Sequence, residues 1–315
     1  MGTPDFAVGP LEAIISAGHE VMAVVTQPDR PKGRSDKMIP SPVKEVAVAH
    51  NIPVLQPERI RNPEAVEELR QYPADIFVVA AFGQILPAEV LEMPKYGCIN
   101  IHASLLPHLR GASPIQQSII LGDEKSGVTI MQMDQGLDTG DILLQEEIAI
   151  SNSDTGGTLF DKLAILGSQM IVKVLPLIEA GEITPIEQDE AKADYAGMLK
   201  KSMGKLDFTK GANQLEHLVR GLNPWPGTFT YHEGKQLKIW HVGAVSTLPN
   251  DPDREEKPDK DEPGTIIEVL KDAFYVRTGD GILRIDEVQL EGKKRMAVKD
   301  YLLGYKIGIG DKLGE

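Results

Sequence analysis

The apolar positions of this chain fall into short continuous runs separated by amphipathic stretches. The clearest run is Asp75-Ile76-Phe77-Val78-Val79-Ala80-Ala81-Phe82, closed by Gly83-Gln84. A strand covered on both faces reads this way, because neither side alternates to polar. Val21 to Thr26, the shorter Val54-Leu55 and Cys98 to Ser104 carry the same signature. Helical spacing fills the intervals. Phe6, Leu11, Ile14 and Ile15 recur after Thr3-Pro4-Asp5, which reads as an N-cap, a proline at the first helical position and a first-turn acid, with Gly18 as the stop. Further helices are predicted from Ser41-Pro42 to about Asn51, from Pro63 to Tyr72 and from about Pro87 to Glu92. Strands alternating with helices predict an α/β class built on a doubly wound, mostly parallel sheet.

The same reading continues with a helix begun at Arg110-Gly111-Ala112-Ser113-Pro114 and ending near Gly122, a strand Val128 to Met133, a glycine- and acid-rich turn over 135–141, a strand Ile142 to Ile150 and a long helix from Thr158 to Ala180. Around Tyr195 to Leu206 the pattern breaks, so the expected domains are 1–200 and 201–315. The second holds a helix near Ala212 to Leu222 and short, evenly spaced strands at Thr228 to Tyr231, Leu237 to Val245, Gly264 to Val269, Phe274 to Thr278 and Ile282 to Val288. That spacing predicts a small β-barrel. One element is missing from the first domain. A doubly wound sheet opens with a strand, whereas this chain opens with a helix, so a first strand is expected in residues before Met1.

Charge changes the picture twice. The formal charge of −14 over 315 residues argues against a nucleic-acid partner. Against this background the stretch from Arg30 to Lys44 holds five bases (Arg30, Lys32, Arg34, Lys37 and Lys44) and one acid, Asp36. Prolines at 28, 31, 40 and 42 keep it from being a continuous helix or central strand, which predicts a semi-rigid basic loop. Lys293-Lys294-Arg295 is a second basic cluster, and Asp251 to Pro263, with seven acids, three bases and three prolines, reads as a mobile solvated loop without an assigned role. No apolar run of about 18 residues suggests a membrane span, and the first residues lack the features of a signal peptide, so a cytoplasmic location is expected. The single cysteine, Cys98, is expected to pack in its strand, and the seven histidines show no metal spacing, so no metal is expected.

The candidate chemistry lies where a buried strand turns polar. Along Cys98-Ile99-Asn100-Ile101-His102-Ala103-Ser104-Leu105-Leu106-Pro107, alternate side chains share a face, so Asn100, His102 and Ser104 would project together at the carboxyl end of a strand. Asparagine and histidine also occur at strand ends simply to satisfy backbone groups. Asp138, in Gly136-Leu137-Asp138-Thr139-Gly140-Asp141, follows another strand and could reach the same edge, or could be an Asx-turn acid. Together the three suit acyl transfer to an amine: the amide donates to an oxyanion, the histidine moves a proton or donates one, and the aspartate orients the imidazole. No cysteine is placed as a nucleophile and Ser104 lacks a Gly-x-Ser-x-Gly turn, so direct attack by the substrate amine is expected.

These residues resemble a known family. Asn100-x-His102-x-Ser104-Leu105-Leu106-Pro107 with Asp138 is similar to the signature of formyltransferases that use 10-formyltetrahydrofolate. Gly2-Thr3-Pro4-Asp5-Phe6, Thr26-Gln27-Pro28-Asp29-Arg30-Pro31-x-Gly33-Arg34, Ala81-Phe82-Gly83-Gln84 and Arg220-Gly221-Leu222-Asn223-Pro224-Trp225-Pro226 extend the resemblance over nearly the whole chain, toward members that act on initiator methionyl-tRNA in translation initiation. The resemblance implies a Rossmann-like sheet followed by an OB-like barrel that helps hold tRNA. It implies Asn100, His102 and Asp138 as the catalytic group, and Ser104, Leu105, Leu106 and Pro107 as the folate-binding loop. It also implies Arg30, Lys32, Arg34 and Lys37 as contacts to the tRNA acceptor arm, with Arg34 the leading candidate, and 10-formyltetrahydrofolate as co-substrate. No obligate protein partner follows from it. Trp225, between two prolines, reads as a domain-packing anchor rather than a base-stacking platform. Other readings are an amino-sugar nucleotide formyltransferase, an RNA-binding module on an inactive sheet, and a nucleotide-binding dehydrogenase. The basic loop argues against the first of these and the absence of a glycine fingerprint against the last.

Overall fold

The computed structural model describes residues 1–31, 38–250 and 261–314. The chain forms two compact units, one of Met1–Pro114, Lys125–Ala149 and Leu159–Gly197 and the other of Ile115–Glu124, Ile150–Thr158 and Met198–Glu315. Lys32, Arg34 and Lys37, and most of the acidic loop expected over 251–263, lie outside the described residues.

In the first unit a short 3-10 turn, Asp5–Ala7, runs into α1 (Val8–Ser16). There follow β1 (Val24–Val25), a two-rung hairpin of β2 (Arg30–Pro31) and β3 (Met38–Ile39), α2 (Pro42–Ala49), β4 (Val54–Leu55), α3 (Pro63–Arg70), β5 (Phe77–Val79), α4 (Ala88–Leu91), β6 (Cys98–His102) and β7 (Arg110–Gly111). Local chemistry explains several of these boundaries. Ser41 caps α2 by accepting from the Lys44 N–H at 3.1 Å, and Pro42 takes the first-turn position whose N–H would otherwise be unsatisfied. The helix expected from Arg110 starts only at Pro114, in α5 (Pro114–Leu121), because Arg110 and Gly111 pair as a strand. Then come β8 (Lys125–Gln132), β9 (Ile142–Ala149), α6 (Gly156–Ala180) and β10 (Tyr195–Ala196).

β1 and β4 pair in parallel, as do β5 and β6. β6 then pairs with β8, and β8 with β9, in antiparallel register, so the sheet is parallel on one side and antiparallel on the other. Cys98, Ile99 and Ile101 of β6 are essentially inaccessible. Each such apolar side chain contributes about 1.5–3 kcal/mol by burial. Burial also pushes the Cys98 thiol up to about 12, as suits a packing residue. α6 is, by length and composition, apolar enough to cross a membrane. Here, however, Leu159, Leu163, Met170, Ile171 and Val174 form a buried stripe, and Gly167 meets the Ile101 side chain so closely that a Cβ would lie 2.9 Å from Cγ2.

The chain's first residues lie between β1 and β5. The Met1 amine donates to Val78 O at 2.6 Å, Ala80 N donates to Met1 O at 2.9 Å, and Gly2 N donates to Val25 O at 3.0 Å. Gly2 and Ala80 form a parallel bridge. Alongside it lies a cavity of about 560 Å³, lined by Val21 to Val25 on one side, Asp75 to Val78 on the other, and by Leu11 and Ile14 of α1. Along this cavity the strand expected over Val21 to Thr26 shortens to β1, and Leu11, Ile14 and Ile15 are only partly buried.

The second unit includes α5 from Ile115 onward and adds α7 (Ala212–Gly221), β11 (Thr228–His232), β12 (Lys235–Val245), β13 (Ile266–Val269), β14 (Phe274–Arg277), β15 (Ile282–Leu290), β16 (Met296–Ala297) and α8 (Val298–Gly304). Its six strands are antiparallel in the order β11-β12-β15-β14-β13, with β16 on β15. Leu215 and Val219 of α7 pack into a core with Ile239, Phe274, Leu283 and Ile285. β16 and α8 are additions to the sequence reading, hidden behind the charged Lys293-Lys294-Arg295 and anchored by buried Val298 and Tyr301. Arg295 is committed locally, to Glu287 and to the face of Trp240. Trp225, expected to be a packing anchor, is instead 55% exposed.

Candidate active site

Asn100 and His102, two residues apart on β6, stand opposite Met131 and Thr129 of β8. The turn after β8 is built by Asp134, whose Oδ1 accepts from Gly136 N at 2.9 Å and from Thr139 Oγ1 at 2.7 Å. The Asx-turn role considered for Asp138 thus belongs to Asp134. Asp138 itself has left-handed backbone, φ +55°. Gly140 is required two residues later, since a Cβ there would run into the Gln132 carbonyl. This turn brings the Asp138 carboxylate to β6. Asn100 Nδ2 donates to Oδ1 at 3.4 Å, and His102 Nδ1 lies 3.7 Å from Oδ2. The three side chains singled out along the sequence therefore meet in space.

How the histidine is oriented differs from expectation. His102 Nε2 is 2.9 Å from the Leu109 carbonyl, an acceptor only, so Nε2 carries the hydrogen. In the neutral ring Nδ1 is then the basic nitrogen, and it faces Asp138. The carboxylate does not hold the ring directly, because 3.7 Å exceeds hydrogen-bond reach. Asp138 is anchored instead by the Gly111 N–H, which donates to Oδ2 at 2.8 Å.

Ser104 also departs from expectation. β6 ends at His102, and Ser104 turns inward, buried, with its hydroxyl donating to His108 O at 2.6 Å. Leu106 is buried as well and precedes a cis peptide to Pro107, leaving Leu105 and Pro107 as the partly exposed members of this loop. Beneath it is a polar net that sequence reading missed. Thr129 Oγ1 donates to Ser104 O at 2.7 Å, and Gln145 Nε2 reaches Leu106 O at 3.0 Å and Thr129 Oγ1 at 2.8 Å. The only signal was a threonine inside the apolar run of β8. A cavity of about 300 Å³ borders the Asp138 turn, lined by Gln132, Asp134, Thr139, Gly140, Gln188 and Glu190 among others.

Arg30 is exposed in β2, at the base of the basic loop. Lys44, counted in that patch, is neutralised by Asp29, with Nζ 2.7 Å from Oδ2. Among the described residues no group of three His, Cys, Asp or Glu side chains is arranged to hold a metal ion.

The family model described as Formyl transferase matches residues 1–175, and that described as Formyl transferase, C-terminal domain, matches 198–306. The chain belongs to the formyltransferase family. Residues 176–197 fall between the two matches. The chain is 55% identical over 315 residues to the methionyl-tRNA formyltransferase of Lachnospira eligens, covering 100% of this chain and 98% of that protein. It is 49% identical to the methionyl-tRNA formyltransferase of Alkaliphilus oremlandii, again with 100% and 98% coverage. Among solved structures, WlaRD, a sugar 3N-formyl transferase crystallised in the presence of dTDP and 5-N-formyl-THF, superimposes with a TM-score of 0.66 at 21% identity, covering 93% of this chain and 97% of that one. At that identity the likeness concerns the fold.

Proposed function

We propose that this formyltransferase moves a formyl group from 10-formyltetrahydrofolate to the α-amino group of initiator methionyl-tRNA. The observation that carries the substrate is the full-length similarity, at 55% identity, to a methionyl-tRNA formyltransferase. The convergence of Asn100, His102 and Asp138 supports the reaction type. With an α-amino pKa near 7.7–8.0, about 10–20% of the amine is neutral at pH 7, so attack does not wait for a strong base. The amine nitrogen bonds to the formyl carbon and the carbonyl electrons move to oxygen. One amide hydrogen of Asn100 is engaged by Asp138, and the other is available to the oxyanion. His102 Nδ1 takes the proton shed by the attacking amine and becomes an imidazolium beside the Asp138 carboxylate. It then delivers that proton to the departing folate nitrogen as the carbon–nitrogen bond breaks.

Leu105 and Pro107 are the parts of the folate loop open to a ligand, with Ser104 and Leu106 shaping it from inside. The basic loop, through Arg30, Lys32, Arg34 and Lys37, would pair with phosphates at the acceptor end, where RNA is read by shape and unpaired bases. The test offers labelled 10-formyltetrahydrofolate with methionyl-tRNA and, in parallel, with an amino-sugar nucleotide. Formyl-methionyl-tRNA as the sole product supports the proposal, and preferential labelling of the sugar overturns it. Arg34→Ala is expected to raise KM for tRNA more at low salt than at high salt, because losing a phosphate contact lowers the salt dependence of binding.

A further inference from the structure

The segment between the two family matches returns to the site and holds two of its members. Ile186 exchanges backbone hydrogen bonds with Ile142 at 2.8 and 2.9 Å. Gln188, buried, donates through Nε2 to Asp138 O at 2.9 Å and Gly140 O at 2.7 Å. Its Oε1 accepts from Arg110 Nε at 3.1 Å and Nη2 at 3.0 Å. Arg110 is fully buried and continues to Glu190, with contacts of 2.7 and 3.0 Å. All of the Gln188 amide's hydrogen-bonding capacity is thereby used. Rotating the amide by half a turn would set its NH₂ against the guanidinium and its oxygen against two carbonyls, so only one orientation is acceptable.

Six residues on, Asp194 accepts from the Leu109 N–H and from His108 Nδ1 at 2.9 Å. Leu109 is left-handed, φ +59°. Left-handed backbone costs a non-glycine residue about 1–2 kcal/mol, comparable to the one or two hydrogen bonds that hold it here. The Leu109 carbonyl is the group that takes the His102 Nε2 hydrogen. β10 then pairs in parallel with β7, which places the Gly111 N–H against Asp138.

We propose that Gln188 and Asp194 are positioning residues, Gln188 fixing the left-handed turn that presents Asp138 and Asp194 fixing the carbonyl that sets the His102 ring. This inference rests on the catalytic roles given above to His102 and Asp138. Neither residue touches the reacting atoms. Both act through backbone that a loosely held loop would leave free to rotate, and misplacing a reacting group by an ångström is enough to cost a large factor in rate.

The experiment compares Gln188→Glu, Asp194→Ala, Asp194→Asn and His102→Ala with wild type in steady-state formyl transfer to methionyl-tRNA, with melting temperature recorded for each. Gln188→Glu keeps an acceptor for Arg110 but cannot donate to the Asp138 and Gly140 carbonyls. It is expected to lower kcat about 10- to 100-fold while both KM values change less than about threefold. Asp194→Ala should lower kcat about tenfold or more while both KM values change less than about threefold. Asp194→Asn, which still offers an oxygen to Leu109 N–H, should restore most of the rate. If Gln188→Glu does not fold, the Asp194 pair decides. Wild-type kcat in Gln188→Glu and Asp194→Ala, with His102→Ala inactive, overturns the positioning roles alone. Wild-type turnover in His102→Ala removes the catalytic reading and this inference with it.

Discussion

His102 Nδ1 and Asp138 Oδ2 stand 3.7 Å apart, with the opposite ring nitrogen committed to a backbone carbonyl. The pair is thus neither a closed hydrogen bond nor two independent groups. In the proposed reaction a proton taken up at Nδ1 would form an ion pair with this carboxylate at that separation. Because the carboxylate is tied to Gly111 rather than to the ring, it remains available as a fixed charge.

His102→Ala should therefore lower kcat about 10²- to 10⁴-fold, the usual range for general acid–base groups. KM for tRNA should change little. Asp138→Asn, which preserves the acceptor for Gly111 but not the charge, should lower kcat about tenfold or more. Steady-state kinetics with both substrates varied separates the two effects. Unchanged kcat in either variant would contradict the assigned role.

Gly111 has φ +105°, and a Cβ would sit 2.8 Å from the Ala196 carbonyl oxygen. Gly111→Ala must part β7 from β10, so a stability loss of about 1–3 kcal/mol is expected. Activity should fall further than stability explains, because the same N–H holds Asp138. Denaturant melts and kcat on one preparation test this, and a variant with wild-type stability and rate would refute it.

Much of this molecule is legible in its sequence. The buried run of β5, the proline and serine that start α2, the turn chemistry at 136–140 and the polar face of β6 are local signals, carried by propensity and periodicity. They determined the α/β class and named Asn100, His102 and Asp138. Three features were not legible. Ser104 obeys the alternation of a strand on paper but lies past the last residue of β6, where its hydroxyl is captured by His108 O. β1 is shorter than its apolar run because a strand extends only as far as its pairing with β4, which the pattern of β1 itself cannot reveal. The third is the tautomer of His102. Which ring nitrogen faces Asp138 depends on the Leu109 carbonyl, and the pose of Leu109 depends on Asp194, 85 residues further along the chain. Side-chain identities came from sequence. Which ring nitrogen faces Asp138 was decided only by tertiary structure, because it is set by backbone groups that are chemically the same at every residue and acquire meaning only where the fold puts them.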